Sequence, residues 1–416
     1  MPAIRPPSPP FAIRAINAVG STVVRLGIQP IKLELEGLLQ AAREKTGLSD
    51  FGDDHFREGL SRLLESLENE AELSMMGRLI VRADLGHHLE IRLQLMDWIR
   101  RHPEIEDEEI VQPIVICGQG RTGTTILHEL MALDPRNRVP LTWECDAPFP
   151  PPERATYLSD PRIAIAEAKS GQADRLIPGF SKIHRSGPTL PQECVRITGG
   201  EFSSLIFSIQ WRVPSYTRWL INEADMSYPY RYHRLMLKYL QWRCPGERWV
   251  LKSPGHLYTL EELVTLMPDA RLVQTHRDPL KILSSLTSLG VVLRSMASTS
   301  IDSDDIAREW SEWNCAGYEE SVDFRESGKL PTSQIVDIQF DDFVADSVAQ
   351  ARRIYEAFDI EFSSELEARM RAYVDRNPSD RDGKHTHRFE DTGLDADEER
   401  AKVTRYQEFF GVRSEI

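Results

Sequence analysis

Apolar positions along the chain change their period from region to region, and each change predicts an element. Phe56, Leu60, Leu63 and Leu67 step by four, three and four, and Leu85, Leu89, Leu93 and Met96 keep nearly the same spacing. Such steps put side chains on one helical face, so two amphipathic helices are predicted ahead of residue 111. Ile114-Val-Ile-Cys117 is then apolar throughout and runs into the turn Gly118-Gln-Gly120-Arg121-Thr122-Gly123, after which Ile126–Met131 reads as a helix. Two later stretches repeat the strand–turn–helix form, one ending Leu251-Lys252-Ser253-Pro254 and the other Thr275-His276-Arg277-Asp278-Pro279. Ser or Asp directly before Pro marks an N-cap followed by a first helical residue. Ile335–Phe340 predicts another strand, and Ser364-Glu-Leu-Glu367 reads as a capping box that opens a helix.

Short strands alternating with helices predict an α/β fold, with a parallel sheet covered on both faces and right-handed crossovers. Residues 1–110 are expected to form a helical extension packed on the core. Residues 111–416 are expected to form the α/β domain, with a helical insertion at about 155–245 that is rich in Tyr and Trp. Pro6–Pro10 reads as a loose leader and Ser295–Asp305 as a polar, mobile loop.

Composition narrows the class without naming a substrate. With 416 residues and 41% apolar content, the chain can bury a large core. A formal charge of −15 argues against nucleic acid or an anionic membrane as a general partner. No apolar run approaches the roughly 18 residues of a membrane span, and the prolines near the start argue against a signal peptide. The five cysteines are scattered without a C-x-x-C pair, which fits a reducing, cytoplasmic setting and no zinc site. Oligomeric state is not legible.

The glycine-rich turn carries chemistry. A strand, a tight loop and a helix start together aim several backbone N–H groups at one point, backed by the helix dipole. Gly120, Arg121, Thr122, Gly123, Thr124 and Thr125 can thus cradle a phosphate-like anion, with one full charge and three hydroxyls. Gly118 and Gly123 fit the frame of a Walker A loop, but Thr124 stands where that motif needs Lys. Gly118, Gly120 and Gly123 also spell the dinucleotide fingerprint, with Glu144 at roughly the distance of a ribose-binding acid. Against it, Arg121 and Thr122 crowd the turn, Ile126 is too large against the sheet, and Glu144 falls in what reads as a loop. The later stretches deliver Lys252, Arg277 and Ser285 to the carboxyl edge of the same sheet, where open α/β sheets bind ligands.

Taken together, these segments resemble sulfotransferases that use 3′-phosphoadenosine 5′-phosphosulfate, and are most similar to a bacterial-type family of about this length. In that family the first loop holds the 5′-phosphosulfate. An Arg after a later strand and a Ser eight residues on hold the 3′-phosphate, here Arg277 and Ser285. Further landmarks are Gly47-Leu-Ser-Asp-Phe-Gly52, Leu141-Thr-Trp-Glu144, Gln274–Pro279, Val344-Ala-Asp346 and Glu390-Asp-Thr-Gly-Leu394. The chain departs from the family at His385-Thr-His387, where His-x-Tyr is expected, and at Thr392, where Phe is expected. Arg121 stands where cytosolic relatives have Lys. The resemblance implies a P-loop-like fold and adenosine 3′,5′-bisphosphate as product. It also implies no metal requirement and a small-molecule, lipid or glycan acceptor bearing a hydroxyl or amine, for which the 155–245 insertion is the expected pocket.

Sulfuryl transfer needs an aligned acceptor oxygen, charge stabilisation on the leaving phosphate and a destination for the proton, as phosphoryl transfer does. Arg121 is the candidate cation at the bridging oxygen. Lys252 is a second cation near the sulfonate, or else a helix-edge charge paired with Glu261 or Glu262. Related enzymes use a His lying between the two cofactor segments, which points to His184, His233 or His256. His184 lies in a Pro- and Gly-rich loop and resembles the family's His followed by Pro-x-Glu, so it is the candidate base. Glu193 could orient it or bind substrate, and Glu144 is the next alternative. Two other functions stay open: a P-loop kinase of a small hydroxyl compound, and a catalytically silent nucleotide-binding scaffold.

Overall fold

The structure, a computed structural model, describes residues 4, 6–26, 29–176, 187–378 and 388–416. Its strands are β1 (Ile114–Cys117), β2 (Asn137–Arg138), β3 (Arg248–Lys252), β4 (Arg271–His276) and β5 (Ile335–Gln339). They form one sheet in the order β2-β3-β1-β4-β5, and every neighbouring pair is parallel.

The unbroken apolar runs follow from burial on both faces. Val115 and Cys117 enter one core with Trp249, Leu251 and Leu272. Ile114 and Ile116 enter the opposite core with Val250, Val273, Val336 and Ile338. A strand with a period of two and helices on both sides must be apolar at every position. The order places β1 between β3 and β4, so the chain departs to either side of it. That reversal opens a crevice beyond the carboxyl ends of these three strands.

Both helices anticipated before residue 111 are present, as Phe56–Asn69 and Met75–Arg101. Leu60, Leu63, Leu67, Leu85, Leu89 and Leu93 are buried. Two more helices precede them, Phe11–Arg25 and Leu35–Thr46. Residues 33–93 share one hydrophobic core with side chains between Val195 and Leu220, so these helices and the mid-chain helices stabilise each other.

Three local expectations need correction. The stretch at 295–305 is not all loop: residues 303–305 open the helix Ser303–Ser327, and Ser298 bridges Leu73, its Oγ donating to the Ala71 carbonyl at 2.6 Å. The helix Ser364–Arg376 is capped one residue earlier than expected, by Ser363, whose hydroxyl accepts from the Leu366 amide. Finally, Phe340 starts a short helix, Phe340–Ala345, rather than ending β5.

Candidate active site

The cradle is built by the turn between β1 and the helix Thr124–Met131. Gly118 has φ +145°, and a Cβ there would lie 2.3 Å from Thr275 Oγ1, so only glycine lets this turn close on β4. Gly123, at φ +89°, is the helix N-cap. Arg121 itself sits at φ +73°, an uncommon conformation for a side-chain-bearing residue and one that clusters at functional sites. Thr122 locks the loop from within: its hydroxyl donates to the Gln119 carbonyl at 2.7 Å and lies 2.6 Å from Thr275 Oγ1. Thr124 is buried at the helix start, and Thr125 is exposed.

Arg121, Arg277 and Ser285, remote in sequence, converge here. Arg121 Nε donates to Ser285 Oγ at 3.0 Å, and Arg277 Nη1 donates to the Arg121 carbonyl at 3.0 Å. Desolvation, with the like charge of Arg277 added, lowers the pKa of Arg121 from its ordinary value. Ser285 and Arg277 reach this point because Asp278 caps the helix Pro279–Arg294, accepting from the Leu280 amide at 3.1 Å.

Beyond Arg277 lies a smaller hollow of about 130 Å³, lined in part by Phe340, Gly411 and Arg413. The Arg277 guanidinium stacks 3.8 Å above the Phe340 ring. Glu415 takes its fork with both carboxylate oxygens, at 2.7 and 2.9 Å. A two-oxygen anion therefore fits this fork, as a phosphate would. Phe340, Arg413 and Glu415 escaped the sequence reading. The signal available for them was an aromatic residue after an apolar strand and a cation near the last helix.

On the other side of Gly120 opens a cavity of about 420 Å³. Leu205, Ile209, Leu289, Leu293, Trp310 and Trp313 give apolar lining, and Asp84, Gln119, Asp146, Glu193 and Arg196 are among its polar lining. Lys252 is 3% exposed at the end of β3. Its Nζ is ion-paired with Glu193, whereas Glu261 pairs with Lys329 instead. A second hollow of about 230 Å³ reaches His256, Ser253 and Tyr230.

Other candidates lie elsewhere. Glu144 falls in the helix Thr142–Asp146 rather than in a loop, and is fully buried. Its carboxylate is ion-paired with Arg138, accepts from Tyr157 Oη at 2.9 Å and caps the Leu141 amide at 3.1 Å. These partners occupy both carboxylate oxygens, as a fully buried carboxylate requires. His233 is buried in an apolar setting that lowers its pKa to about 4. His256 is likewise buried, with Nδ1 2.7 Å from Tyr230 Oη, and desolvation holds it well below its ordinary value. His184, His385 and His387 lie outside the described residues. Among the described residues, no group of three or more His, Cys, Asp or Glu is arranged to hold a metal ion.

Comparison with known proteins gives a consistent picture. Residues 113–364 match the model of the Sulfotransferase family. Over 257 residues the chain is 25% identical to the omega-hydroxy-beta-dihydromenaquinone-9 sulfotransferase Stf3 of Mycobacterium bovis, a stretch covering 59% of this chain and 62% of that protein. The match thus spans about three fifths of the curated relative's length. Among solved structures, sulfotransferase STF9 from Mycobacterium avium superposes with a TM-score of 0.84 at 28% identity, covering 93% of this chain and 99% of that one. Sulfotransferase STF1 from Mycobacterium tuberculosis H37Rv gives 0.80 at 29%, covering 89% and 98%.

Proposed function

The chain belongs to the sulfotransferase family, and on that footing we propose that it transfers a sulfonate from 3′-phosphoadenosine 5′-phosphosulfate to the hydroxyl of an apolar, lipid-like acceptor. The observation that carries this reading is the meeting of Arg121, Arg277 and Ser285 at the loop, with an apolar cavity that Gly120 of the same loop lines. An anion cradle and a second cationic fork adjoining an apolar cavity suit a doubly phosphorylated nucleotide and a greasy alcohol. They suit a kinase poorly, because no Lys stands at position 124. The similarity to a menaquinone-derivative sulfotransferase favours the same acceptor class.

The donor supplies an activated sulfonate on a phosphate leaving group. In this reading, the loop amides from Gly120 to Thr125 and the hydroxyls of Thr124 and Thr125 hold its 5′ end, Thr122 shapes the loop from within, and Arg121 offsets the charge that develops on the leaving oxygen. Arg277 and Ser285 hold the 3′-phosphate, and Lys252 lends a second positive charge. His184 removes the acceptor proton. Glu193, already paired with Lys252, orients the acceptor hydroxyl within the cavity that it lines.

Adenosine 3′,5′-bisphosphate should raise the melting temperature without added Mg²⁺, since a ligand that binds only the folded state stabilises it. ATP, which lacks the 3′-phosphate, should do far less. Equal shifts would revive the kinase reading. A mass-spectrometric screen of long-chain alcohols against sugars with the sulfonate donor then tests the acceptor class. Sulfation of sugars alone would overturn the apolar assignment while leaving the donor assignment intact.

A further inference from the structure

The helix Phe11–Arg25 exposes an unusual amount of apolar surface. Phe11 is 77%, Val19 66% and the following Leu26 74% exposed. At about 100° per residue, these three fall on one face together with Ala12, Ala15, Ile16 and Thr22. That face carries no charge. The opposite face is the one that packs inward: Gly20 is buried, and Asn17 Oδ1 accepts from the Met76 amide at 3.0 Å. Protein contacts therefore account for one side of the helix and leave the apolar side without a partner among the described residues.

Charge indicates what fits there. The sequence before Glu34 has four basic residues, Arg5, Arg14, Arg25 and Lys32, and none of the 65 acidic ones. An apolar face in a segment that is purely basic is the pattern of a helix lying in the plane of a lipid interface. Its apolar side sinks among the acyl chains, and its cations meet anionic headgroups. A second copy would set one basic segment against another, which disfavours self-docking. We infer that the helix Phe11–Arg25 docks this protein onto an anionic lipid surface. No helix among the described residues is long and apolar enough to cross a membrane, so the docking is peripheral. It rests on the helix alone and does not require the acceptor assignment.

The test is co-flotation of the full chain with vesicles of phosphatidylcholine, with and without an equal part of phosphatidylglycerol. Wild-type protein should float with the anionic vesicles, far less with the neutral ones, and less at about 0.5 M salt. The combined variant Phe11→Ser, Val19→Ser, Leu26→Ser should lower partitioning by about tenfold or more. Arg14→Glu should lower it on anionic vesicles only. Leu158→Ser, at an equally exposed apolar position elsewhere (82%), should change nothing. All five substituted positions are exposed, so unchanged circular dichroism and melting temperature are expected. Three results would overturn the inference. They are failure of the wild type to float with anionic vesicles, equal flotation by the triple variant, or a wild-type dimer that the triple variant converts to monomer.

Discussion

The Arg277–Glu415 ion pair makes a two-sided prediction, because its ends should move nucleotide affinity in opposite directions. In the proposed function, the fork now held by Glu415 at 2.7 and 2.9 Å is the fork that takes the 3′-phosphate. A charge-assisted hydrogen bond contributes about 1.5–3 kcal/mol. Arg277→Ala should therefore weaken adenosine 3′,5′-bisphosphate binding by about ten- to a hundredfold. Part of that loss would come through the loop, since Arg277 also donates to the Arg121 carbonyl at 3.0 Å. Glu415 competes for the same guanidinium and must be displaced. The pair is partly open, with side chains 17% and 28% exposed, so its own worth is about 0.2–1 kcal/mol. Glu415→Ala should accordingly tighten binding by at most about fivefold. Stacking on Phe340 at 3.8 Å keeps the guanidinium aimed once the carboxylate is gone. Isothermal titration calorimetry of both variants in metal-free buffer reads both effects. Weaker binding by Glu415→Ala, or unchanged binding by Arg277→Ala, would refute the reasoning.

Arg121→Ala should cut turnover by roughly 10²–10³-fold, the usual loss for one preorganised charge stabiliser, and a residual rate above about a tenth would make it a surface charge. Gly118→Ala would set a Cβ 2.3 Å from Thr275 Oγ1, so urea unfolding should show a loss of about 1–3 kcal/mol, accompanied by weaker bisphosphate binding. Leu293→Ala should raise KM for an apolar acceptor by up to roughly fiftyfold, at about 0.8 kcal/mol for each of the three carbons lost, with bisphosphate affinity unchanged; a change in nucleotide affinity alone would detach the cavity from the acceptor. Burial depresses the pKa of His88 and His128 to about 3 and that of His233 to about 4, against 6.5 when unfolded. Between these values the unfolded chain binds more protons, so the stability they lend is complete above about pH 6.5 and lost as pH falls toward 3–4. Urea midpoints that stay flat from pH 7 to about 5 would contradict this burial.

What was legible in the sequence was local. Gly118 to Gly123 read as a cradle because strand, turn and helix start are contiguous, and Asp278-Pro279 announced its cap in the same way. The spacing of Leu60, Leu63 and Leu67 exposed a helix because its buried face repeats every turn. The helix Phe11–Arg25 escaped although its apolar positions are periodic, because Pro6-Pro-Ser-Pro-Pro10 directly before it made the whole stretch read as a loose leader. Glu144 was misplaced for a different reason. Its role depends on Arg138 and on Tyr157, thirteen residues on, and nothing in Leu-Thr-Trp-Glu indicates that its carboxylate turns inward.

The cavity was the least legible part, since no single segment encodes it. Leu205 and Ile209 come from one helix, Leu289 and Leu293 from another, and Trp310 and Trp313 from a third. Each pair alone looks like ordinary core spacing. The helix Pro279–Arg294 nevertheless ties the cavity to the chemistry, because it presents Ser285 to Arg121 and, one residue later, Leu286 to the cavity wall. Asp278 fixes the start of that helix while accepting from the Glu415 and Ile416 amides at 2.6 and 3.1 Å. The carboxylate that occupies Arg277 and the helix that shapes the apolar cavity therefore hang from the same residue. The total charge of −15 describes neither site. In the proposed function, a polyanionic nucleotide would meet cations that folding brings together from positions 121 and 277, and a net charge is blind to where its members end up.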